Sequence, residues 1–216
     1  MQWHDHSKDF PEGMHLFLSP SSAKSWGAKT KEELFDAYVS KCAADIGTAV
    51  HEKAADYIRF RQKITNHQKT DLWIHLLKSH IPSNVIDIDY LFDNFKLYVN
   101  DSVQFGMRPE VGLRYNENAG GHCDAISFRR DVLRIHDLKT GKREAGFEQL
   151  EAYAALFCLE YGHDPSELRG INLRIYQNGE FREEEPSPDL IHNWIIDIQE
   201  KEEYVTAFLK EGRYGV

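Results

Sequence analysis

Three charged residues in the middle of the chain have types and spacing that suit phosphate chemistry. Asp124 and Asp137 are predicted at the ends of two adjacent strands, and Lys139 follows two residues after the second. Residues i and i+2 of a strand project from one face, so Asp137 and Lys139 should point together while Leu138 enters a core. Carboxylates bind hard divalent cations, and an ammonium beside them offsets phosphate charge. The layout therefore suits metal-assisted hydrolysis of a phosphodiester.

An Asp-x-Lys triplet by itself carries little weight, because charged chains contain such triplets by chance. The competing interpretation is a salt bridge between Asp137 and Lys139 on an exposed strand. The residues around the triplet decide between the catalytic interpretation and the salt bridge. The first of them is Glu110, which precedes an apolar strand segment. Glu110 would hold a metal-bound water or pair with Lys139, and the alternative is an ordinary acid on an edge strand.

Two helical pairs flank this segment at a spacing of four residues, which places each pair on one helix face. Gly47 would let its helix approach the sheet, so that His51 could offer a neutral ring nitrogen to a metal. The alternative is a packing glycine beside a partly buried histidine. Gln149 and Tyr153 would form a neutral hydrogen-bonding platform, or else a surface glutamine beside a core tyrosine.

The hydrophobic patterns predict an α/β or α+β fold whose elements position these residues. Helices are expected over 23–26, from 31, over 40–64, 72–80, 87–100, 145–161 and from Ser187 or Asp189 to about 210, and strands over 107–114, 121–128, 132–140 and 171–177, with a short extended piece over 15–18. We expect one domain over residues 1–216, with a helical part over about 19–104 and a catalytic sheet with helices over about 105–210. Ser19 should cap the first helix.

The charge balance argues against a generic nucleic-acid binder, because the net charge is −9. Residues 160–216 contain 13 acidic and 6 basic side chains, so that segment carries −7 and the remainder −2. Local basic runs nevertheless occur at 59–63, at 129–130 and at 139–143. Each run could contact a phosphate backbone, and a solvated surface is the alternative for the first two.

The remaining composition bounds the metal chemistry and the compartment. The three cysteines, Cys42, Cys123 and Cys158, form no CxxC pair, so neither a zinc knuckle nor an iron–sulfur cluster is expected. No apolar run approaches the length of a membrane span, and the first residues have no signal-peptide pattern. A cytoplasmic location, or the host cytoplasm for a viral protein, is the expectation.

The motifs occur in a recognisable order along the chain. They are a GxxxH helix (Gly47, His51), a glutamate before a strand (Glu110), G-x-x-D (Gly121, Asp124), D-x-K-T-G (Asp137, Lys139, Thr140, Gly141) and Q-x-x-x-Y (Gln149, Tyr153). In this order they resemble the RecB-like branch of the PD-(D/E)xK nuclease superfamily over roughly residues 17–180. The size resembles stand-alone members, including phage recombination exonucleases and CRISPR-adaptation nucleases.

The resemblance implies a restriction-endonuclease-like core, with a central mixed sheet flanked by helices and an N-terminal helical region. It implies one or two Mg²⁺ or Mn²⁺ ions bound by His51, Asp124, Asp137 and the backbone carbonyl of Leu138. The cysteines of the iron–sulfur branch have no counterparts, so no cluster is implied.

The remaining motif residues take roles in catalysis and DNA contact by the same resemblance. Lys139 would orient the attacking water or stabilise the transition state, and Glu110 would hold a second metal or a water. Gln149 and Tyr153 would position the DNA strand, and Lys142 and Arg143 would contact neighbouring phosphates.

The implied function is a metal-dependent DNA nuclease, with exonuclease action favoured, in recombination, repair or phage DNA processing. DNA is the expected partner, and a recombination or single-strand-annealing protein and a homo-oligomer are compatible with the resemblance. Two alternatives stay open: a non-catalytic DNA-binding subunit of a recombination complex, and a metal-dependent hydrolase of small phosphoesters.

Overall fold

The structure of the protein is a computed structural model that describes residues 16–210, with the backbone alone at positions 209 and 210. The chain divides into two compact units, one ending at Ala44 and one beginning at Asp45. The single domain expected over residues 1–216 stays a prediction. Within the described range, no helix is both long enough and apolar enough to cross a membrane.

The described part of the first unit, residues 16–44, is helical, as predicted. It contains α1 (Ala23–Gly27) and the beginning of α2 (Lys31–Arg59). Ser19 occupies the N-cap position of a 3-10 turn before α1, but its side chain makes no capping hydrogen bond. The extended piece predicted over 15–18 is wrong at 16–18, where the amide of Ser19 donates to the carbonyl of Leu16 and closes a turn. His15 lies outside the described residues.

The helices predicted from residue 31 and over 40–64 are one continuous helix, α2. Gly47 lies in its interior without breaking it, because α2 has favourable residues on both sides. The helix ends at Arg59 instead of residue 64, since Arg61 adopts a left-handed backbone with φ 55°.

The second unit is built on one five-stranded mixed sheet in the order β1-β2-β3-β4-β5. Its elements are α3 (Lys69–Lys78), α4 (Ile88–Gln104), β1 (Arg108–Arg114), β2 (Gly120–Arg129), β3 (Val132–Leu138), α5 (Glu148–Tyr161), β4 (Gly170–Gln177), β5 (Glu180–Glu184) and α6 (Pro188–Lys210). Only the β3–β4 pairing is parallel among these strands. The predicted α/β class with a central mixed sheet is confirmed, and it is consistent with a restriction-endonuclease-like core.

The sheet separates two hydrophobic clusters. One contains residues of α2 and α4 together with Leu138 and Tyr176, and the other contains residues of α5 and α6 together with Ile135 and Ile175. Ile175 and Tyr176 are neighbours in β4 and enter opposite clusters, as the two-residue period of a strand requires. Both faces of the central strands are therefore covered, which keeps the ends of β2 and β3 fixed.

Strand β5 is the one strand of the described residues that the sequence patterns missed. Its residues include Glu180, Arg182 and Glu184, so hydrophobic alternation is weak, and charge is common on an edge strand. The signal for it was the turn at Asn178 and Gly179, where φ is 57° and 79°. Two left-handed residues in succession are typical of a tight hairpin.

Candidate metal centre

Three carboxylates form a row across the first three strands. The register of β1 with β2 places Glu110 opposite Asp124. The register of β2 with β3, continued one residue beyond its last pair, places Asp124 beside Asp137. The row therefore arises from strand pairing between residues that are distant in sequence.

The backbone is distorted where this row begins. Glu110 has φ 51°, a left-handed conformation that is uncommon for a residue other than glycine. In the facing strand, Cys123 and Ile126 pack into the same cluster, although strict alternation would send them to opposite faces. The alternation shifts beside Asp124, and such local strain occurs most often at functional sites.

Helix α2 brings a nitrogen ligand to the row. His51 Nδ1 lies 3.3 Å from Asp124 Oδ2. One ligand atom each from His51, Glu110 and Asp124 lies within 4.8 Å of the others. A Cβ at Gly47 would lie 3.4 Å from Thr140 Oγ1, so α2 passes close to the residue that follows Lys139.

Asp137 and Lys139 project together, as their spacing predicts. Lys139 Nζ donates to Asp137 Oδ1 and to Gln149 Oε1, both at 3.0 Å. Asp137 is 4% exposed, so this pair is not the exposed surface salt bridge of the competing interpretation. Glu110 was expected to pair with Lys139 or to hold a metal-bound water. The pairing with Lys139 does not occur, because Asp137 and Gln149 accept the hydrogen bonds of this ammonium.

One buried oxygen of Asp137 is left for another ligand. Asp137 Oδ2 lies 2.9 Å from Lys139 Nζ, yet the angles exclude a hydrogen bond, and it has no donor among the described residues. The Lys139 ammonium therefore offsets part of the charge of this oxygen through an ion pair. Its hydrogen-bonding capacity is left for a further ligand.

Asp124 fixes the end of β3. Its Oδ2 accepts a hydrogen bond of 2.9 Å from the amide of Leu138, so the Leu138 peptide lies beside the row. The backbone carbonyl of Leu138, which the resemblance implies as a metal ligand, belongs to the same residue as this amide.

Tyr153 supports the row from helix α5. Its hydroxyl donates to the carbonyl of His122 at 2.6 Å. A Cβ at Gly121 would lie 3.0 Å from Tyr153 Cε1, so the glycine of the G-x-x-D motif makes room for this ring. Gln149 is exposed and bonds to Lys139, so the predicted pair in α5 contacts the row at two different points.

The electrostatics of the row raise three pKa values. Burial, and then the charge of Asp124, raise the pKa of Asp137 to about 6, although Lys139 acts in the opposite direction. Burial and Asp124 also raise the pKa of Glu110. Burial lowers the pKa of His51, but the hydrogen bond to Asp124 and the nearby carboxylates outweigh it and raise the pKa. Burial is the largest cause of the raised pKa of both carboxyls, and the negative charge of the neighbouring carboxylates contributes to all three shifts.

The donor set fits a divalent cation. Carboxylate oxygens are suitable ligands for Mg²⁺ and Mn²⁺, and Mn²⁺ also accepts an imidazole nitrogen as a ligand. His51, Glu110 and Asp124 are close enough to share one ion, and Asp137 adjoins Asp124 in the row.

Two buried amides that sequence patterns did not identify hold the loop after the metal centre. Gln177 donates to the carbonyls of Gly141 and Arg143 at 2.6 and 2.7 Å. Asn94 donates to the carbonyl of Lys139 at 3.4 Å and accepts from the amide of Gly179 at 2.7 Å. Gln177 also accepts from the amide of Ala145, which explains why α5 begins at 148 instead of 145.

Lys142 and Arg143 lie on this loop and are exposed. Lys142 Nζ lies 3.1 Å from Asp87 Oδ2 and 5.1 Å from the centre of the Tyr90 ring. A surface ion pair of this kind is weak, so it would exchange readily for a phosphate. Their contact with DNA stays a prediction.

A cleft of about 760 Å³ adjoins the metal centre. Its lining residues are Gly47, Thr48, His51, Glu52, Ala55, Asp56, Arg59, His75 and Glu110. The lining from Gly47 to Arg59 spans three turns of α2, or about 18 Å at 1.5 Å per residue.

A family model described as "Protein of unknown function (DUF2800)" matches residues 15–213. Because the match covers most of the chain, the protein belongs to the DUF2800 family. No curated protein matches the chain.

Proposed function

We propose that this protein is a Mg²⁺- or Mn²⁺-dependent DNA nuclease that hydrolyses phosphodiester bonds, with exonuclease action favoured. The observation that carries the proposal is the row of Glu110, Asp124 and Asp137 beside His51, with Lys139 held at its end. A surface acidic cluster would not combine a buried carboxylate with an adjacent lysine of fixed orientation.

The residues of the chain divide the work between binding and charge stabilisation. His51, Asp124 and Asp137, with the Leu138 carbonyl, would hold the ion, and Glu110 would hold a second ion or a water. When bound, the ion makes a water molecule more acidic and offsets charge on the scissile phosphate.

Lys139 would face the phosphate from the α5 side. Its hydrogen bonds to Asp137 and Gln149 hold the ammonium in one place before substrate arrives. Preorganised charge of this kind stabilises the negative charge that develops on phosphate oxygens. Tyr153 supports the strand that carries Asp124 through the carbonyl of His122.

The cleft favours a strand of DNA over a small phosphoester. An elongated lining along three turns of α2 suits a polymer, whereas a small ester would be held by a closed pocket. The presence of each metal-ligating side chain and of Lys139 counts against the non-catalytic DNA-binding subunit.

The test incubates the purified full chain with linear duplex, circular duplex and single-stranded DNA and with p-nitrophenyl phosphate. Each substrate is tested with Mn²⁺, with Mg²⁺ and with EDTA. We expect Mn²⁺-dependent release of nucleotides from linear DNA, with closed circles resistant. Hydrolysis of the small ester alone would establish the alternative hydrolase, and DNA binding without hydrolysis in any metal would establish the non-catalytic subunit.

A further inference from the structure

A second cavity, on the α5 side of the β1–β2 hairpin, has the opposite chemistry to the metal centre. It has a volume of about 450 Å³, within the range of about 300–1,000 Å³ of sites that hold small organic ligands. We call it the arginine pocket. Its lining residues are Arg61, Gly106, Arg108, Val111, Leu113, Ile126, Ser127, Phe128, Arg129, Phe157, Tyr161 and His163.

The arginine pocket concentrates positive charge in a chain whose net charge is −9. Arg61, Arg108 and Arg129 line it, and no carboxylate of the described residues does. Arg61 and Arg129 donate to the carbonyls of Met107 and Gly106 at 2.7 and 3.2 Å. These bonds orient the guanidinium groups without neutralising them, so their charge stays available to an anion.

Arg108 is the most available of the three cations. It is exposed, and within residues 16–210 it has neither an ion pair nor a side-chain hydrogen bond. It shares strand β1 with Glu110, two residues further on, which is at most about 7 Å along the backbone. The pocket and the metal centre are thus close enough for neighbouring nucleotides of one strand.

An aromatic wall lines the pocket beside these cations. The rings of Phe157 and His163 stack at 5.5 Å with an interplanar angle of 8°, and Phe157 and Tyr161 lie 4.9 Å apart. Gly162, with φ 68°, ends α5 and turns the chain so that His163 returns to the wall. Tyr161 is 55% exposed, so one ring face is open to a planar ligand. The pocket therefore combines cations with an aromatic stacking surface.

We propose that the arginine pocket binds one nucleotide of the DNA strand, with a phosphate at Arg108 and a base stacked on the wall at Tyr161. Arginine recognises phosphate through its planar fork, and aromatic rings hold bases of a single strand regardless of sequence. An acidic peptide would satisfy the cations but leave the ring face unused. The inference rests on the proposed nuclease function, because that function supplies the strand.

The experiment measures binding of fluorescent oligothymidylate to the purified full chain in EDTA, where no metal-dependent cleavage occurs. Arg108→Ala should lower the slope of log affinity against log salt by about 0.7, as loss of one single-strand phosphate contact requires. Tyr161→Ala should weaken binding roughly 5- to 150-fold through lost stacking. Lys78→Ala removes one positive charge from the exposed end of α3, outside the pocket, and should leave the affinity and the salt slope unchanged.

Three further ligands separate the sources of the binding. An abasic oligonucleotide should be insensitive to Tyr161→Ala, and inorganic phosphate should compete weakly. Thymidine 5′-monophosphate that binds as tightly as the oligonucleotide would overturn the assignment to a strand and indicate a free nucleotide. Wild-type oligonucleotide affinity and salt slope in both pocket variants would overturn the proposal outright.

The outcomes also distinguish this inference from the proposed function. If the wild-type protein binds oligothymidylate through Arg108 and Tyr161 but never cleaves DNA with Mn²⁺, the pocket stands and the nuclease proposal fails. If the protein cleaves DNA and both pocket variants bind as the wild type does, the nuclease proposal stands and the pocket assignment fails.

Discussion

The metal centre and the arginine pocket adjoin the same strand but differ in charge and in the state of their side chains. The metal centre collects Glu110, Asp124 and Asp137, whereas the pocket collects arginines and no described carboxylate. A divalent cation would suit the first and a phosphate the second. The carboxylates of the metal centre and the arginines of the pocket have opposite signs, so the net charge of −9 describes neither site.

The two regions also differ in how firmly the rest of the fold holds their side chains. Asp137, Lys139 and Gln149 form a connected network at the metal centre. Arg108 in the pocket is exposed, with no ion pair in residues 16–210. Chemistry on a phosphate needs preorganised groups, whereas a groove that follows a strand tolerates mobile ones. The difference predicts separate effects on the rate of cleavage and on DNA binding.

The largest effect expected is on the cleavage rate of Lys139→Ala. Removal of a preorganised charge should lower the rate at saturating DNA by about 10²–10³-fold. Oligothymidylate binding in EDTA should change little, which is the reverse of the Arg108→Ala result. Lys201→Ala is the matched control, because it removes a lysine from an exposed ion pair on α6. Equal loss of binding and rate in Lys139→Ala would erase the distinction between the two regions.

The next effect concerns the pH dependence of stability at Asp137 in metal-free protein. Its folded pKa of about 6 lies above the ordinary aspartate value of 3.8, so the folded state binds more protons between those values. The contribution of Asp137 to stability is therefore present at about pH 4 and is lost as the pH rises through 6. Between about pH 4 and pH 6, the free energy of unfolding of Asp137→Asn should rise relative to that of the wild type by up to about 3 kcal/mol.

Denaturant unfolding of both proteins at several pH values measures this difference. His136, whose burial lowers its pKa to about 3, has the opposite pH dependence but is present in both proteins and cancels. A stability difference that is constant between pH 4 and 7 would contradict the raised pKa of Asp137.

The third effect is on metal binding at Asp124. Asp124→Asn should weaken Mn²⁺ binding by at least about 10- to 100-fold, because it removes charge and disturbs the bond to the Leu138 amide. Calorimetric titration of the full chain with Mn²⁺ measures it. Arg108→Ala should bind Mn²⁺ as the wild type does, and a similar loss in both variants would show that the two regions are not separate sites.

The smallest effect is steric, at Gly121. A methyl group there would lie 3.0 Å from Tyr153 Cε1 and 3.2 Å from its hydroxyl. Gly121→Ala should therefore displace Tyr153 and lower the free energy of unfolding by about 1–2 kcal/mol. Gly141→Ala is the matched control, because nothing lies within 4 Å of its added Cβ. Equal stability of the two variants in thermal unfolding would show that Tyr153 does not need Gly121.

The helices and strands, and the site side chains that lie together, were predictable from the sequence wherever they depend on local spacing. Strand alternation placed Asp137 with Lys139, and helical spacing placed Gln149 and Tyr153 on one face of α5. The turn between β2 and β3 is likewise local, since the neighbouring residues Arg130 and Asp131 both have positive φ. These features need only a few consecutive residues.

The features that sequence patterns missed depend on tertiary contacts. Nothing around Glu110 predicts its left-handed backbone, which falls where the β1–β2 pairing is interrupted between Pro109 and Val111. Gln177 and Asn94 resemble any polar residues until the loop carbonyls that they bond are known. The arginine pocket joins residues from 61 to 163, so the basic runs at 59–63 and 129–130 could not be joined from spacing alone.

Metal-dependent cleavage at Asp137 is tested by comparing nucleotide release from linear duplex DNA by the wild-type protein and by Asp137→Asn. We expect release by the wild type with Mn²⁺, none in EDTA, and at least about a 100-fold lower rate for Asp137→Asn. Equal rates for the two proteins in Mn²⁺, or release that persists in EDTA, would contradict a metal-dependent nuclease centred on Asp137.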